Sequence, residues 1–282
     1  MPFFTNVATL TYTGGTTVSN TVTGELVEVL SGEKNALLGT YTAEDTVTFI
    51  ITLRNTGLVA LNGLTVTDDL GGYAVGANTV YPLAYVAGSA QYYVNGVQQP
   101  APVVNAGPPL TITGLNVPAG GNGILLYEAA VTGYAPLDPQ ATITNTATVT
   151  GYPGEPLVLQ ATITTLNRAN LTINKALSPT VVAENGELTY TFLIRNTGNI
   201  PAVATDNLVL QDTFNPILNS ITVTLDGITL VAGVDYTYNP ATGVFATTAG
   251  RITVPAATYA QQPDGTYIVT PGTAVVTVTG TV

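Results

Sequence analysis

Two lysines occur in the 282 residues, Lys34 and Lys175. Each stands 20 positions before an Arg-Asn-Thr-Gly run, at Arg54 and at Arg195, so the two are equivalent across an offset of 141. A carboxylate recurs behind them. Asp68 ends Leu64-Thr-Val-Thr-Asp and Asp212 ends Leu208-Val-Leu-Gln-Asp. Asp69 has Thr213 in its place in the second copy, which favours Asp68. An asparagine follows in the first copy, Asn145 of Ile143-Thr-Asn-Thr-Ala-Thr-Val-Thr. The N-terminus carries a near copy, Phe4-Thr-Asn-Val-Ala-Thr-Leu-Thr, with Asn6 over Asn145 and Ala8 over Ala147.

Lysine, aspartate and asparagine together can form an amide. A lysine placed among apolar neighbours loses its charge readily, because desolvation disfavours the ammonium. The neutral amine is a nucleophile. A carboxamide is a poor electrophile until its oxygen is protonated or hydrogen-bonded, and a buried carboxyl can supply and shuttle that proton. Lys34, Asp68 and Asn145 make one such set inside the first copy. Lys175 and Asp212 make a second set without an asparagine, and Asn6 has the matching flanks. The competing accounts are structural. Duplication aligns the lysines whatever they do, and Asp68 or Asp212 after a strand caps a turn. Arg54 and Arg195 are expected along the sheet, with Asn-Thr-Gly as a turn. Asp226, Asp235 and Asp264 match no calcium-loop spacing, and tyrosines such as Tyr92 and Tyr93 read as half-buried strand residues.

The elements that must carry these residues are strands. Val47-Thr-Phe-Ile-Ile-Thr-Leu and Leu188-Thr-Tyr-Thr-Phe-Leu-Ile, between Gly, Asn and Pro clusters, are β patterns, and no helical period is sustained. Asn95-Gly96 and Asp226-Gly227 mark equivalent hairpins. The self-similarity predicts two copies of one unit, each with the strand number of an immunoglobulin-like sandwich. Lys34 to Asn145 spans 111 positions; the same span from Lys175 runs four past Val282. The expectation is therefore all-β: two tandem immunoglobulin-like sandwiches, the second lacking its last strand, plus an N-terminal donor strand. The expected divisions are 1–24 donor strand and linker, 25–152 complete domain, 153–168 linker around Pro153-Gly-Glu-Pro156, and 169–282 incomplete acceptor domain. A sandwich missing a strand exposes unpaired backbone and an apolar slot, which a neighbour's strand can fill.

Composition narrows the function. The net charge is −11 with six basic residues, which argues against nucleic acid and against anionic lipid. Without Cys there is no disulfide, thiolate nucleophile or thiolate metal site; without His the usual general base and metal ligand are missing. No cofactor and no metal is expected. No run is apolar enough to span a membrane, and Met1-Pro-Phe-Phe lacks the features of a secretory signal.

The Lys, Arg-Asn-Thr-Gly, Asp and Ile-Thr-Asn-Thr-Ala-Thr-Val elements resemble the domain-of-unknown-function-eleven repeat of bacterial surface proteins, over nearly the whole chain. The resemblance implies immunoglobulin-like repeats with Lys–Asn isopeptide bonds assisted by an acidic residue, carried by Lys34, Asp68 and Asn145, and by Lys175 and Asp212. The expectation is a structural subunit, not an enzyme, polymerising head-to-tail with copies of itself at an extracellular, cell or spore surface. The rival is a monomeric adhesin or spacer closed by its own N-terminal strand. A hydrolase is disfavoured, because Asp68 and Asp69 face opposite ways on a strand.

Overall fold

The computed structural model describes residues 3–25 and 29–282, and the described residues are almost entirely β-strand. Two compact units form, one from residues up to Ala135 together with Thr142–Thr164, the other from Pro136–Ala141 and Thr165–Val282.

In the first unit two sheets face each other. One is built on the Arg54 strand (Thr46–Asn55), flanked by the Lys34 strand (Leu30–Ala36) and the Tyr127 strand (Asn122–Val131). The other is built on the Asp68 strand (Leu61–Asp68), which pairs with Leu110–Val117 on one side and the Asn145 strand (Thr142–Thr150) on the other. Strict alternation dictates this. Val47, Phe49, Ile51 and Leu53 point inward along one sheet; Leu64, Val66, Ala147 and Val149 meet them from the other. Each of the valine, leucine, isoleucine and phenylalanine side chains contributes about 1.5–3 kcal/mol when fully buried, while the threonines between them face out.

Residues 157–165 are not a linker. Leu157–Thr165 forms a strand antiparallel to the Asn145 strand, with Asn145 opposite Ala161 and Ala147 opposite Leu159. Leu159, Ala161 and Ile163 are buried. Pro153-Gly-Glu-Pro156 is the tip of this hairpin, where the Tyr152 hydroxyl donates to the Glu155 carbonyl. The first unit therefore runs past 152 to Thr164. Pro and Gly punctuate hairpin tips as readily as linkers, and the alternation after Pro156 decides between them.

The second unit repeats the first sheet. The Lys175 strand (Leu171–Ser178), the Arg195 strand (Glu187–Asn196) and the closing strand (Gly272–Thr281) pair in the same order. Its core gathers Tyr190, Phe192, Ile194, Phe214, Phe245, Val276 and Val278. The opposing sheet has three strands, ordered Gln211–Thr213, Val244–Thr247, Tyr236–Asn239. Among the described residues, two strands have no counterpart here, the Asn145 strand and its partner Leu157–Thr165, where the sequence arithmetic implied one. The offset also shifts late in the chain. Pro255 stands where Pro118 does, each accepting from the equivalent asparagine, and a hairpin of Thr258–Gln261 and Tyr267–Thr270 is inserted before the closing strand.

The N-terminal segment is a hairpin and not a single strand with a linker. Phe3–Asn6 pairs with Val22–Glu25, and Thr9–Tyr12 with Gly15–Val18. The pairing is interrupted at Ser19 and Asn20, and residues 26–28, at the expected start of the first domain, lie outside the described residues.

Candidate functional site

Lys34 leaves its strand opposite Ile51 and enters the core of the first unit, its side chain wholly buried. Nζ lies 2.6 Å from Asp68 Oδ2 and 5.1 Å from the centroid of the Phe49 ring. Asp68 is equally buried and is the last residue of its strand, opposite Ala147. Its Oδ1 accepts from the Leu70 N–H at 2.9 Å, so the turn-capping role coexists with the ion pair. Asp69 faces the other way: Oδ1 accepts from Gly71 N and from Thr146 N, each at 2.8 Å, which fastens the Asn145 strand beside it.

Asn145 reaches this pair through a residue that sequence comparison passed over. The Tyr127 hydroxyl donates to Asp68 Oδ2 and accepts from Asn145 Nδ2 at 3.4 Å. Tyr127 is fully buried and stacks on Phe49, with centroids 5.6 Å apart. Asn145 Oδ1 has no hydrogen-bond partner, a costly state for a buried carbonyl. Burial lowers the Lys34 pKa, with Asp68 working against that fall. Burial, then the Asp68 charge, pushes the Tyr127 hydroxyl well above the usual tyrosine range. The cluster thus holds a lysine biased toward its neutral form, a carboxylate in contact with it, and a carboxamide with a free acceptor.

The second unit offers half of this. Lys175 Nζ makes an ion pair with Asp212 Oδ2 and sits 4.5 Å from the Tyr190 centroid. Their side chains are 41% and 18% exposed, where Lys34 and Asp68 are buried. No hydrogen bond among the described residues joins either one to an asparagine. The Tyr127–Phe49 cross-strand pair becomes Val278–Tyr190, so the hydroxyl changes strands. The inward stripe of the Lys175 strand, Leu171, Ile173 and Leu177, is exposed, Ile173 by 52%. In the first unit Gly32 takes the place of Ile173; a Cβ there would meet Thr52 O at 2.5 Å and Leu159 Cδ1 at 3.4 Å. The Thr52 carbonyl on the neighbouring strand sets that limit, with Leu159 of the hairpin lying over the glycine at contact distance, and among the described residues the second unit has no such cover. Asn6 is exposed on the N-terminal hairpin, paired with Val22.

The remaining expectations are structural. Asn55 Nδ2 donates to the carbonyls of Val59, Val117 and Pro118, and Asn196 repeats this with Ile200 and Pro255. Asp226 accepts from Val275 N, Asp235 binds Arg251 and Val231 N, and Asp264 binds Thr266. Tyr92 and Tyr93 donate to Asn116 O and Gln91 Oε1. No helix among the described residues is long and apolar enough to cross a membrane.

No family model matches the chain, and no curated protein does. Solved structures with a weak likeness include the pilus backbone RrgB of Streptococcus pneumoniae, at 12% identity and TM-score 0.36, covering 86% of this chain and 55% of that one. This chain thus spans about half the length of that backbone. BcpA, the major pilin subunit of Bacillus cereus, aligns at 12% identity and TM-score 0.35 over 96% of this chain and 73% of its own. The collagen-binding domain of a Staphylococcus aureus adhesin aligns at 12% identity and TM-score 0.30 over 51% of this chain and all of its own.

Proposed function

We propose that this chain is a structural subunit of an extracellular or spore-surface filament. Subunits join head-to-tail when the N-terminal hairpin of one copy fills the uncovered second unit of the next. Lys–Asn amide bonds then lock the first unit internally (Lys34 to Asn145) and the junction between copies (Lys175 to Asn6). In each, the amine nitrogen bonds to the carboxamide carbon, the carbon–Nδ2 bond breaks and ammonia leaves. The reaction occurs once per site, so the protein is substrate and product together and not an enzyme.

The observation that carries this is a pair of matched exposures. The second unit bares the inner face of the Lys175 strand and the outer edge of the Asp212 strand (Gln211–Thr213). The N-terminal hairpin bares Phe4, Leu10, Val18 and Val22, and residues 4–11 of its outgoing arm nearly copy the sequence that fills this place in the first unit. An isolated two-stranded hairpin is marginal in water, and an open sheet edge invites another strand. Size agrees as well. Ala147 pairs with Leu159, whereas Ala8, aligned with Ala147, accepts from Ser19 N at 2.9 Å. The bulk that Leu159 brings to Gly32 in the first unit is supplied in the second by Ile173, opposite a small residue. Because donor and acceptor surfaces differ, the contact is heterologous and propagates as a fibre unless the rotation closes a ring.

A boiled denaturing gel of assembled protein tests this, with Asn6→Ala and Lys175→Ala beside the wild type. A wild-type ladder that collapses to monomer in both variants is the expected result. A single monomer band in the wild type overturns the covalent junction. If that band also lacks two ammonias by intact mass, the hairpin closes its own chain and the protein is a monomeric surface module.

A further inference from the structure

We propose that Tyr127 is the proton relay between Asp68 and Asn145, so that the carboxyl acts on the carboxamide through a phenol. This rests on the Lys34–Asn145 bond proposed above. Asp68 Oδ2 is in hydrogen-bond contact with Lys34 Nζ on one side and the Tyr127 hydroxyl on the other. The same hydroxyl meets Asn145 Nδ2. Asp68 Oδ1 is held by Leu70 N, and no hydrogen bond joins Asp68 to Asn145 among the described residues. Among the described residues, the phenol is the hydrogen-bonded path between them.

A phenol suits this place because a hydroxyl both donates and accepts, and turns between the two without moving its oxygen. Its high proton affinity in this buried site keeps it neutral throughout. The steps balance. Lys34 passes a proton to Asp68 and, as a neutral amine, adds to the Asn145 carboxamide carbon. The former amide nitrogen thereby becomes a basic amine. Asp68 then donates to the phenol oxygen while the phenol proton moves to Nδ2. The nitrogen leaves as ammonia, and the proton still on the Lys34 nitrogen of the adduct replenishes Asp68. One amide forms, one ammonia departs, and Tyr127 is unchanged. The 3.4 Å contact to Nδ2 is long for a ground state, as expected of a bond that tightens on the way to reaction.

In the second unit the same cross-strand pair is Tyr190 opposite Val278, with the Tyr190 ring centroid 4.5 Å from Lys175 Nζ. The hydrogen-bonded chain from carboxylate through phenol to carboxamide is therefore a feature of the first unit.

The test is a time course on the full chain made by cell-free synthesis, following the peptide that joins Lys34 to Asn145 by mass after digestion. Tyr127→Phe keeps the ring and removes the proton path; linkage is expected to slow about 100-fold. Difluorotyrosine at position 127 keeps shape and hydroxyl but makes the proton easier to release, and linkage is expected to speed up several-fold. A packing role moves neither rate in this pattern. Linkage at the wild-type rate in a folded Tyr127→Phe, or with difluorotyrosine, overturns the relay alone. If Tyr127→Phe does not fold, the difluorotyrosine rate decides. A wild type that never yields the joined peptide overturns the crosslink itself, and the relay with it.

Discussion

Asn55 and Asn196 show how one side chain can hold a unit's end together. Asn55 Oδ1 accepts from Gly57 N at 2.9 Å while its amide serves three carbonyls. Asn55→Ala leaves these buried groups unmatched and is expected to cost about 3 kcal/mol, read from urea unfolding. Lys34 gives a pH signature, best seen in Asn145→Ala, which cannot crosslink. Burial lowers the lysine pKa in the folded state, so between that value and the ordinary lysine value the unfolded chain binds more protons. Stability then rises with pH across that window. Tyr127 has the opposite sign. Its raised pKa means the folded chain holds the extra proton above about pH 10, and stability falls there. The expected urea midpoint climbs with pH and turns over near about pH 10. A midpoint that falls steadily from neutral pH upward contradicts this. Lys34 and Asp68 stood out in the sequence because two copies could be compared, and Asn145 because the N-terminal segment repeats its flanks. Tyr127 did not, because its counterpart is Val278, and repeat comparison discards positions that differ.

At the scale of elements, the strands themselves were readable from period-two alternation, and both two-residue hairpins were placed correctly. The Asn95-Gly96 and Asp226-Gly227 turns have the positive φ angles that such tight turns need. The strand Leu157–Thr165 escaped because Pro153 and Pro156 looked like a boundary. The inserted hairpin at 258–270 escaped because the repeat resumed after it in a shifted register. One comparison now separates the two copies. Leu30 and Ile173 both belong to inward stripes, the first buried, the second bare. Leu30→Asp is expected to unfold the first unit, at a cost of several kcal/mol for a charge placed in the core. Ile173→Asp should leave monomer stability within about 0.5 kcal/mol and abolish assembly. Thermal unfolding together with size-exclusion chromatography distinguishes these outcomes.

For the whole molecule, the proposed donor and acceptor lie on different parts of the chain, so growth by this route would have a direction. A chain lacking residues 1–25 keeps the acceptor and loses the donor. Added to wild type at a small fraction, it is expected to cap one end and shorten filaments in proportion to its share, measured by electron microscopy. Unchanged lengths rule out hairpin donation as the joining step. Adding the isolated hairpin in excess should block the other surface and leave single subunits.

Both lysines of the chain are paired with an aspartate, and both belong to the proposed crosslinks. If both react as proposed, the four arginines are the only charged basic side chains left against 17 acidic ones, and each subunit passes from −11 to −13. The proposed polymer would then present no side-chain amine from this sequence. Aldehyde fixatives and amine-directed dyes should react poorly along its length, and lysine-directed proteases should find nothing to cut. Covalent assembly would thus give the fibre chemical invisibility to a whole class of reagents, as well as strength.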